Sequence, residues 1–214
     1  MKNIKFTIES TDGNARAAKL VINEKSLNTP AFMTIGTYGS IKTMDATDLK
    51  RCNVDIILSN AFHLMLRPGI DIILKHGGLH NFMNWDGLIL TDSGGYQVFS
   101  LGKEVKISDK GATFRSPFNG DKVIMTPELS IDIQTKINTD IMMIFDECIK
   151  YPSDLHTTEK SMELSLEWAE RSLKSNHLDK ALFGIVHGGM YPSLREKSRD
   201  CLLYTSPSPR DSSQ

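Results

Sequence analysis

Five short apolar runs, at residues 31–36, 54–60, 88–90, 140–145 and 181–186, constrain this chain more than any other feature. Runs of three to seven residues that stay largely apolar suit strands buried on both faces, as in a parallel sheet covered by helices. Helical signals lie between most of them. Residues 43–52 suit a short helix with Asp45 as its cap, and a second helix carrying Ile70, Ile73 and Leu74 stops at Gly77-Gly78. Thr126, Pro127 and Glu128 open a third with a capping hydroxyl, a first-turn proline and an acid against the dipole. From about 157 to 175, Met162, Leu166, Ala169 and Leu173 share one helical face.

A parallel sheet of this kind is either an open doubly wound sheet or a (β/α)₈ barrel. Four of the five runs lead into polar residues: Asn60, Asp92, Asp146 and His187. Polar groups at the carboxyl ends of several strands favour the barrel, whose sites are built there. The expected fold is α/β, an incomplete (β/α)₈ TIM-type barrel with about five of the eight strands. Residues 4–35 read as β, with a turn at 11–14, and 1–28 are expected to form an N-terminal antiparallel sheet. Asp109-Lys110-Gly111 and Asn119-Gly120-Asp121 are hairpin signals. They make 104–125 a three-stranded meander inserted between the third and fourth barrel strands. No internal repeat is visible.

The 25 basic and 26 acidic side chains nearly cancel, so any nucleic-acid contact must use a local patch. Cys52, Cys148 and Cys201 show no paired spacing, which fits a reducing cytoplasm better than a disulfide scaffold. No apolar run reaches the length of a membrane span, and the N-terminus lacks a signal-peptide apolar region, so a cytoplasmic protein without a membrane partner is expected. Residues 1–202 form the expected domain. The tail at 203–214, with two prolines and four serines after Tyr204, is expected to be disordered. It is either a natural flexible terminus or foreign sequence joined to a truncated gene; its resemblance to cloning or adaptor sequence favours the second.

The chemistry centres on residues 88–101, where an apolar strand ends at Thr91-Asp92-Ser93 and runs into Gly94-Gly95-Tyr96-Gln97. A carboxylate beside a Gly-Gly turn at a buried strand tip costs stability unless something uses it. A lone Asp at such a place more often caps a turn or helix. Two of them at neighbouring tips, Asp92 and Asp146, with Asn60 and His187 at two more, shift the balance toward a site. Such carboxylates can divide a job, one moving protons and one accepting hydrogen bonds. Gly94-Gly95 and Gly188-Gly189 let backbone approach a ligand, though double glycines are common in turns and neither pair forms a phosphate-binding motif. Tyr96 could stack on a planar ligand or simply pack. His63, His76, His80, His156 and His177 follow no metal spacing. No H-x-H and no lysine ends a strand, which argues against metal-dependent hydrolase barrels and Schiff-base aldolases.

The run Leu-Thr-Asp-Ser-Gly-Gly-Tyr-Gln-Val at 90–98 resembles the signature of the tRNA-guanine transglycosylases, also called queuine tRNA-ribosyltransferases. Thr-Pro-Ala-Phe-Met at 29–33, Asp-Ile-Ile-Leu-Ser-Asn at 55–60, His-Leu-Met-Leu-Arg-Pro-Gly at 63–69, Phe-Asp-Glu-Cys at 145–148 and Leu-Phe-Gly-Ile at 182–185 match in the same order. The resemblance spans residues 4 to about 202, and Cys148 after Asp-Glu is similar to the bacterial branch. It implies a (β/α)₈ barrel, a later zinc-binding subdomain and a homodimer. It also implies a reaction in which guanine at the wobble position of a tRNA is exchanged for 7-aminomethyl-7-deazaguanine, on the way to queuosine. An aspartate attacks the ribose anomeric carbon, and the incoming base displaces it.

By the same resemblance Asp92 handles protons on the leaving and entering bases, and Asp146 binds the base. Ser93, Gly94 and Gly95 bring backbone close, Tyr96 stacks, and Cys148 and His187 complete the base site. His187 stands where the family usually has glutamine, so its donor differs in reach and tautomer. The attacking aspartate, the zinc ligands and most of the tRNA surface would lie beyond residue 202. No zinc is therefore expected on this chain, which is expected to be inactive and poorly folded alone, since losing three βα units exceeds a net stability of roughly 5–15 kcal/mol. The alternative is a non-catalytic fragment or paralogue that keeps a guanine pocket or a dimerising surface.

Overall fold

The computed structural model describes residues 4–178 and 180–205. Ile4–Asp12 (β1), Ala15–Ile22 (β2) and Lys25–Thr29 (β3) form an antiparallel sheet in that order. Gly13, at φ 55°, turns the first hairpin. Asn23 and Glu24 turn the second, at φ 49° and 70°, the left-handed pair that matches strand twist.

The central sheet is parallel. Its strands are Thr34–Ile35 (β4), Ile56–Asn60 (β5) and Leu88–Asp92 (β6), then, after Lys106–Ser108 (β7), Gly111–Arg115 (β8) and Lys122–Met125 (β9), Ile141–Met143 (β10) and Ala181–Phe183 (β11). They lie in chain order, β4-β5-β6-β10-β11, with every neighbouring pair parallel. A doubly wound sheet reverses its strand order at a switch point; none occurs among the described strands. The strands β7, β8 and β9 form a separate antiparallel meander, turned at the two expected hairpins.

Eight helices among the described residues complete the chain: Ala46–Arg51 (α1), Ala61–Leu66 (α2), Ile70–Lys75 (α3), Leu79–Met83 (α4), Gly95–Ser100 (α5), Pro127–Lys136 (α6), Leu155–Ser175 (α7) and Pro192–Thr205 (α8). Asp45 caps α1 in a full capping box with Asp48, Thr126 caps α6 ahead of Pro127, and Asp154 caps α7. No described helix is long and apolar enough to cross a membrane.

Strand alternation divides the core. On one face Ile56, Leu88, Leu90, Ile141 and Ala181 pack against Leu20, Ile22 and Leu27 of the N-terminal sheet. On the other, Ile57 and Ile89 meet Ile73 and Leu79, while Met142, Ile144 and Leu182 meet Ile131 and Ala169. The meander adds Ala112, Phe114 and Met125 to a cluster with Phe62, Val98, Phe145 and Trp168. It is tied to α7 by Trp168 Nε1, which donates to the Asp109 carbonyl at 2.9 Å. Arg171 grips Glu128 through two bonds of 2.7 and 2.8 Å and the Asp109 carbonyl at 2.6 Å. That guanidinium holds the Glu128 carboxyl down at about 2.

The expected buried strand at 31–36 is corrected by the structure. Only Thr34 and Ile35 pair, and Phe32 and Ile35 are 83% and 60% exposed. This strand is bonded only to β5, and no described element covers its outer side, so its apolar run does not report burial. Asp146 and His187 lie on the loops that follow β10 and β11 rather than on the strands themselves. The last turn of α8 runs to Thr205, into the expected tail; residues 206–214 lie outside the described residues.

At the amino ends of the strands Lys25 of β3 joins the two sheets. Its Nζ donates to the Gly87 carbonyl at 3.0 Å, contacts His80 Nε2 at 2.8 Å and reaches Asp140 at 3.4 Å. Asp140 Oδ2 also accepts from the Ile89 amide at 2.9 Å. Burial would raise the Asp140 carboxyl, but His80, the Ile89 amide and the Lys25 charge together bring it below the usual range. Lys25→Met strips one donor from a mostly buried carboxylate and is expected to cost about 1–2 kcal/mol. A lower urea midpoint, with lost amide protection concentrated in β1–β3, checks this; an unchanged midpoint would count against the joint.

Candidate active site

Asp92 is the last residue of β6, and Asn60, the last of β5, stands opposite it in the register. The Asn60 Nδ2 donates to Asp92 Oδ2 at 2.6 Å, while its Oδ1 accepts from the His63 amide at 2.9 Å and caps α2. One side chain thus starts a helix and steers a carboxylate. Asp92 Oδ1 is buried and has no hydrogen-bond partner. Burial pushes the Asp92 carboxyl up to about 7; the Ala61 and Gly94 amides and Asn60 pull the other way, and the charge of Asp146 adds to the rise. A carboxyl poised there can take or give a proton near neutrality.

Asp146 is buried and more fully partnered. Ser93 Oγ donates to its Oδ1 at 3.2 Å, and the Cys148 thiol points at its Oδ2 from 3.7 Å. His187 Nε2 lies 3.2 Å from the same Oδ2, within ion-pair reach but not aligned as a hydrogen bond, so that ring nitrogen remains unpaired. The His187 amide is itself held by Ser198 Oγ of α8 at 3.0 Å. Burial first, and the Asp146 charge second, push the Cys148 thiol up to about 12, so it stays neutral.

The Gly-Gly turn explains how the two acids come together. Gly94, at φ 88°, is in the left-handed conformation and starts α5. Gly95 then passes so close to Asp146 that a Cβ there would collide with its carboxylate and sit 2.6 Å from its carbonyl oxygen. The Ser93 hydroxyl bridges the two, accepting from the Gly95 amide at 3.3 Å while donating to Asp146.

A cavity of about 330 Å³ opens above this turn. Asp92, Ser93, Gly95, Tyr96, Gln97 and Asp146 form its polar rim, and Leu58, Leu90, Met143, Ile185 and Met33 its apolar floor. Tyr96 is 66% exposed at its edge, free to cover a planar ligand. Of the residues singled out in the sequence, Asp92, Ser93, Gly95, Tyr96 and Asp146 meet in this one cavity. Gly94, Cys148 and His187 do not line it. Cys148 faces a smaller space of about 110 Å³ beneath the meander, and His187 approaches Asp146 from the β11–α8 loop. Asn60 was expected only as one of the polar strand tips, with no role of its own, and Gln97 was given none. The position of Asn60 opposite Asp92 in neighbouring runs was a usable signal; nothing marked Gln97.

The described residues do not fit zinc. Among the described residues no group of three or more His, Cys, Asp or Glu side chains is arranged to hold a metal ion.

The family model of queuine tRNA-ribosyltransferase matches residues 11–206. Curated proteins named queuine tRNA-ribosyltransferase are similar over most of the chain. The one from Pseudoalteromonas translucida is 54% identical over 198 residues, covering 92% of this chain and 52% of the relative. That from Nitrosomonas eutropha is 55% identical over 197 residues, covering 91% and 54%. That from Blochmanniella pennsylvanica is 53% identical over 201 residues, covering 92% and 55%. The chain spans about half the length of the curated relatives it matches.

Proposed function

Because this chain belongs to the queuine tRNA-ribosyltransferase family, we propose that it carries the nucleobase site of an enzyme exchanging guanine at the tRNA wobble position for 7-aminomethyl-7-deazaguanine. The observation that carries this reading is the pair of unlike carboxylates at one cavity. Asp146 is held by donors and can accept side by side from the imino and amino groups of a guanine edge. Asp92 is partly buried, titrates near neutrality, and keeps its buried Oδ1 without a partner. In the proposed exchange a carboxylate attacks the ribose anomeric carbon, and the departing guanine takes the proton that Asp92 holds. The entering base returns a proton to Asp92 and displaces the carboxylate from the ribose. Tyr96 covers the base and the Ser93–Gly95 turn shapes its edge. His187, in the place of the family's usual glutamine, stands outside the cavity and acts on the base only through Asp146, which its Nε2 faces at 3.2 Å, and Cys148 backs Asp146 from the side away from the base.

The attacking carboxylate is assigned to the part of the family's length that this chain does not span, as are the zinc subdomain, the dimer surface and most of the tRNA contact. The strand order β4-β5-β6-β10-β11 without reversal supports the closed (β/α)₈ barrel for the whole enzyme. No third carboxylate lines the cavity among the described residues. That favours a second reading for the chain by itself, a guanine-binding module that does not turn over.

Equilibrium dialysis with labelled guanine and adenine tests the site. Guanine is expected to bind and adenine not, and Asp146→Asn is expected to weaken guanine about 30-fold, or about 2 kcal/mol, by turning an acceptor pair into a mixed one. Equal binding of adenine, or indifference to the Asn substitution, would sink the base assignment. Incorporation of label into unmodified tRNA by the 214-residue chain would overturn the non-catalytic reading.

A further inference from the structure

We propose that Gln134 is a positioning residue, a side-chain amide that holds the strands bearing Asp92 and Asp146 apart at the mouth of the cavity. The inference rests on the assignment of those two acids to the base site. The β6–β10 ladder has only two register pairs, Leu90 with Ile141 and Thr91 with Met142. One step further the same register would set Met143 against Asp92 and draw both into the ladder. There the strands part instead, and α6 delivers Gln134 into the gap, 0% exposed.

Its amide replaces the missing ladder. Gln134 Oε1 accepts from the Met143 amide at 2.9 Å and from Thr91 Oγ1 at 3.0 Å. Its Nε2 donates to the Met143 carbonyl at 3.0 Å and to Ser130 O and Oγ at 3.3 and 3.2 Å. Ser130 Oγ in turn donates to the Ser93 carbonyl at 2.9 Å. Both backbone groups of Met143 are therefore answered as a neighbouring strand would answer them, and both chain neighbours of Asp92 are bound. An apolar residue would fill this helix position without burying an amide. The amide is needed because Met143, which also floors the cavity, has left its strand partner.

Gln134→Met keeps the bulk and removes the bonds. Gln134→Glu replaces the amide by a group that, when protonated, still offers one acceptor and one O–H donor, and when ionised offers acceptors only, facing the Met143 carbonyl. Carboxyl ¹³C NMR of the full 214-residue chain reads the Asp92 titration without any ligand. In Gln134→Met the Asp92 midpoint is expected to fall by one pH unit or more as water enters between the strands, at a temperature well below melting. In Gln134→Glu guanine affinity, taken relative to wild type at each pH, is expected to stay within threefold at pH 5 and to fall at least tenfold at pH 8. A Met variant that melts earlier but keeps the wild-type midpoint would show a merely structural role and overturn the proposal. If the Met variant does not fold, the Glu variant decides at pH 5 and pH 8. If wild type fails to bind guanine, the base assignment falls, while the Asp92 midpoint still judges Gln134.

Discussion

A single methyl group added at Gly95 is expected to abolish guanine binding, lowering affinity at least 100-fold, or about 2.7 kcal/mol. The built Cβ of Gly95→Ala meets the Asp146 carboxylate, its Cγ at 3.2 Å and its carbonyl oxygen at 2.6 Å. The carbonyl oxygen belongs to the backbone and the carboxylate is held by Ser93, so the turn and the loop after β10 must move apart. That breaks the bridge from the Gly95 amide through Ser93 to Asp146 and turns the base-binding carboxylate away from the cavity. The helix itself should not suffer: Gly95 is the first residue of α5, and alanine is the better helix former by up to about 1 kcal/mol. The expected signature is lost guanine binding in dialysis by a chain that still folds cooperatively but melts earlier, by about 1–3 kcal/mol of stability. Retained affinity would mean that Asp146 is not held by this contact.

Asp92→Asn is expected to stabilise the chain at pH 8 by about 1–3 kcal/mol and to change little at pH 4. The folded carboxyl titrates at about 7, well above its unfolded value, because burial penalises its charge. Its contribution to stability is therefore complete below the unfolded value near pH 4. It is lost as pH rises through 7 and is constant above that. The gap between folded and unfolded values sets an upper bound of about 4 kcal/mol. Asparagine, neutral throughout, escapes that penalty but cannot carry the proton that base exchange needs. Asp140 acts with the opposite sign: its lowered carboxyl supports the fold at neutral pH and ceases to as pH falls through its folded value. Wild-type stability should thus decline on both sides of a mildly acidic optimum, and Asp92→Asn should remove only the alkaline decline. Urea titrations at pH 4, 6 and 8 read this directly, and parallel curves for the two proteins would show that Asp92 is already ionised in the neutral fold.

The parts of this structure that were legible in the sequence are those whose signal is local and strong. The caps Asp45 and Thr126 stand where a capping residue precedes a periodic stretch. The two turns of the meander carry glycine where the hairpin needs it. Parallel strands were visible as apolar runs, and their polar ends pointed to Asp92 and Asp146. The helices α2, α4 and α5 were not read in the sequence, although α1 and α3 are equally short: five or six residues barely show a 3.6-residue period, and only the Asp45 cap and the Gly77-Gly78 stop made α1 and α3 visible. The third N-terminal strand follows Asn23-Glu24, a turn without the glycine that usually announces it. The exposure of Phe32 and Ile35 depends on which neighbours a strand lacks, and that is a property of the sheet rather than of the run. Gln134 was silent for a related reason. A polar residue on a buried helix face reads as an irregularity until the gap it fills is seen.

The alternation along β5 and β6 carries one more consequence. Leu90 lies two residues before Asp92, and Leu58 pairs with Leu90 on the neighbouring strand, so the floor of the cavity and the Asp92 edge of its rim occupy successive rungs on the same side of the sheet. Bulk and chemistry are consequently independent variables. A smaller residue at Leu58 or Leu90 deepens the recess for a larger ring substituent and leaves the carboxyls where they are. Lineages sharing this fold could drift in the size of base they admit while conserving the proton-handling pair, and a library varied only at those two floor positions would sample that drift.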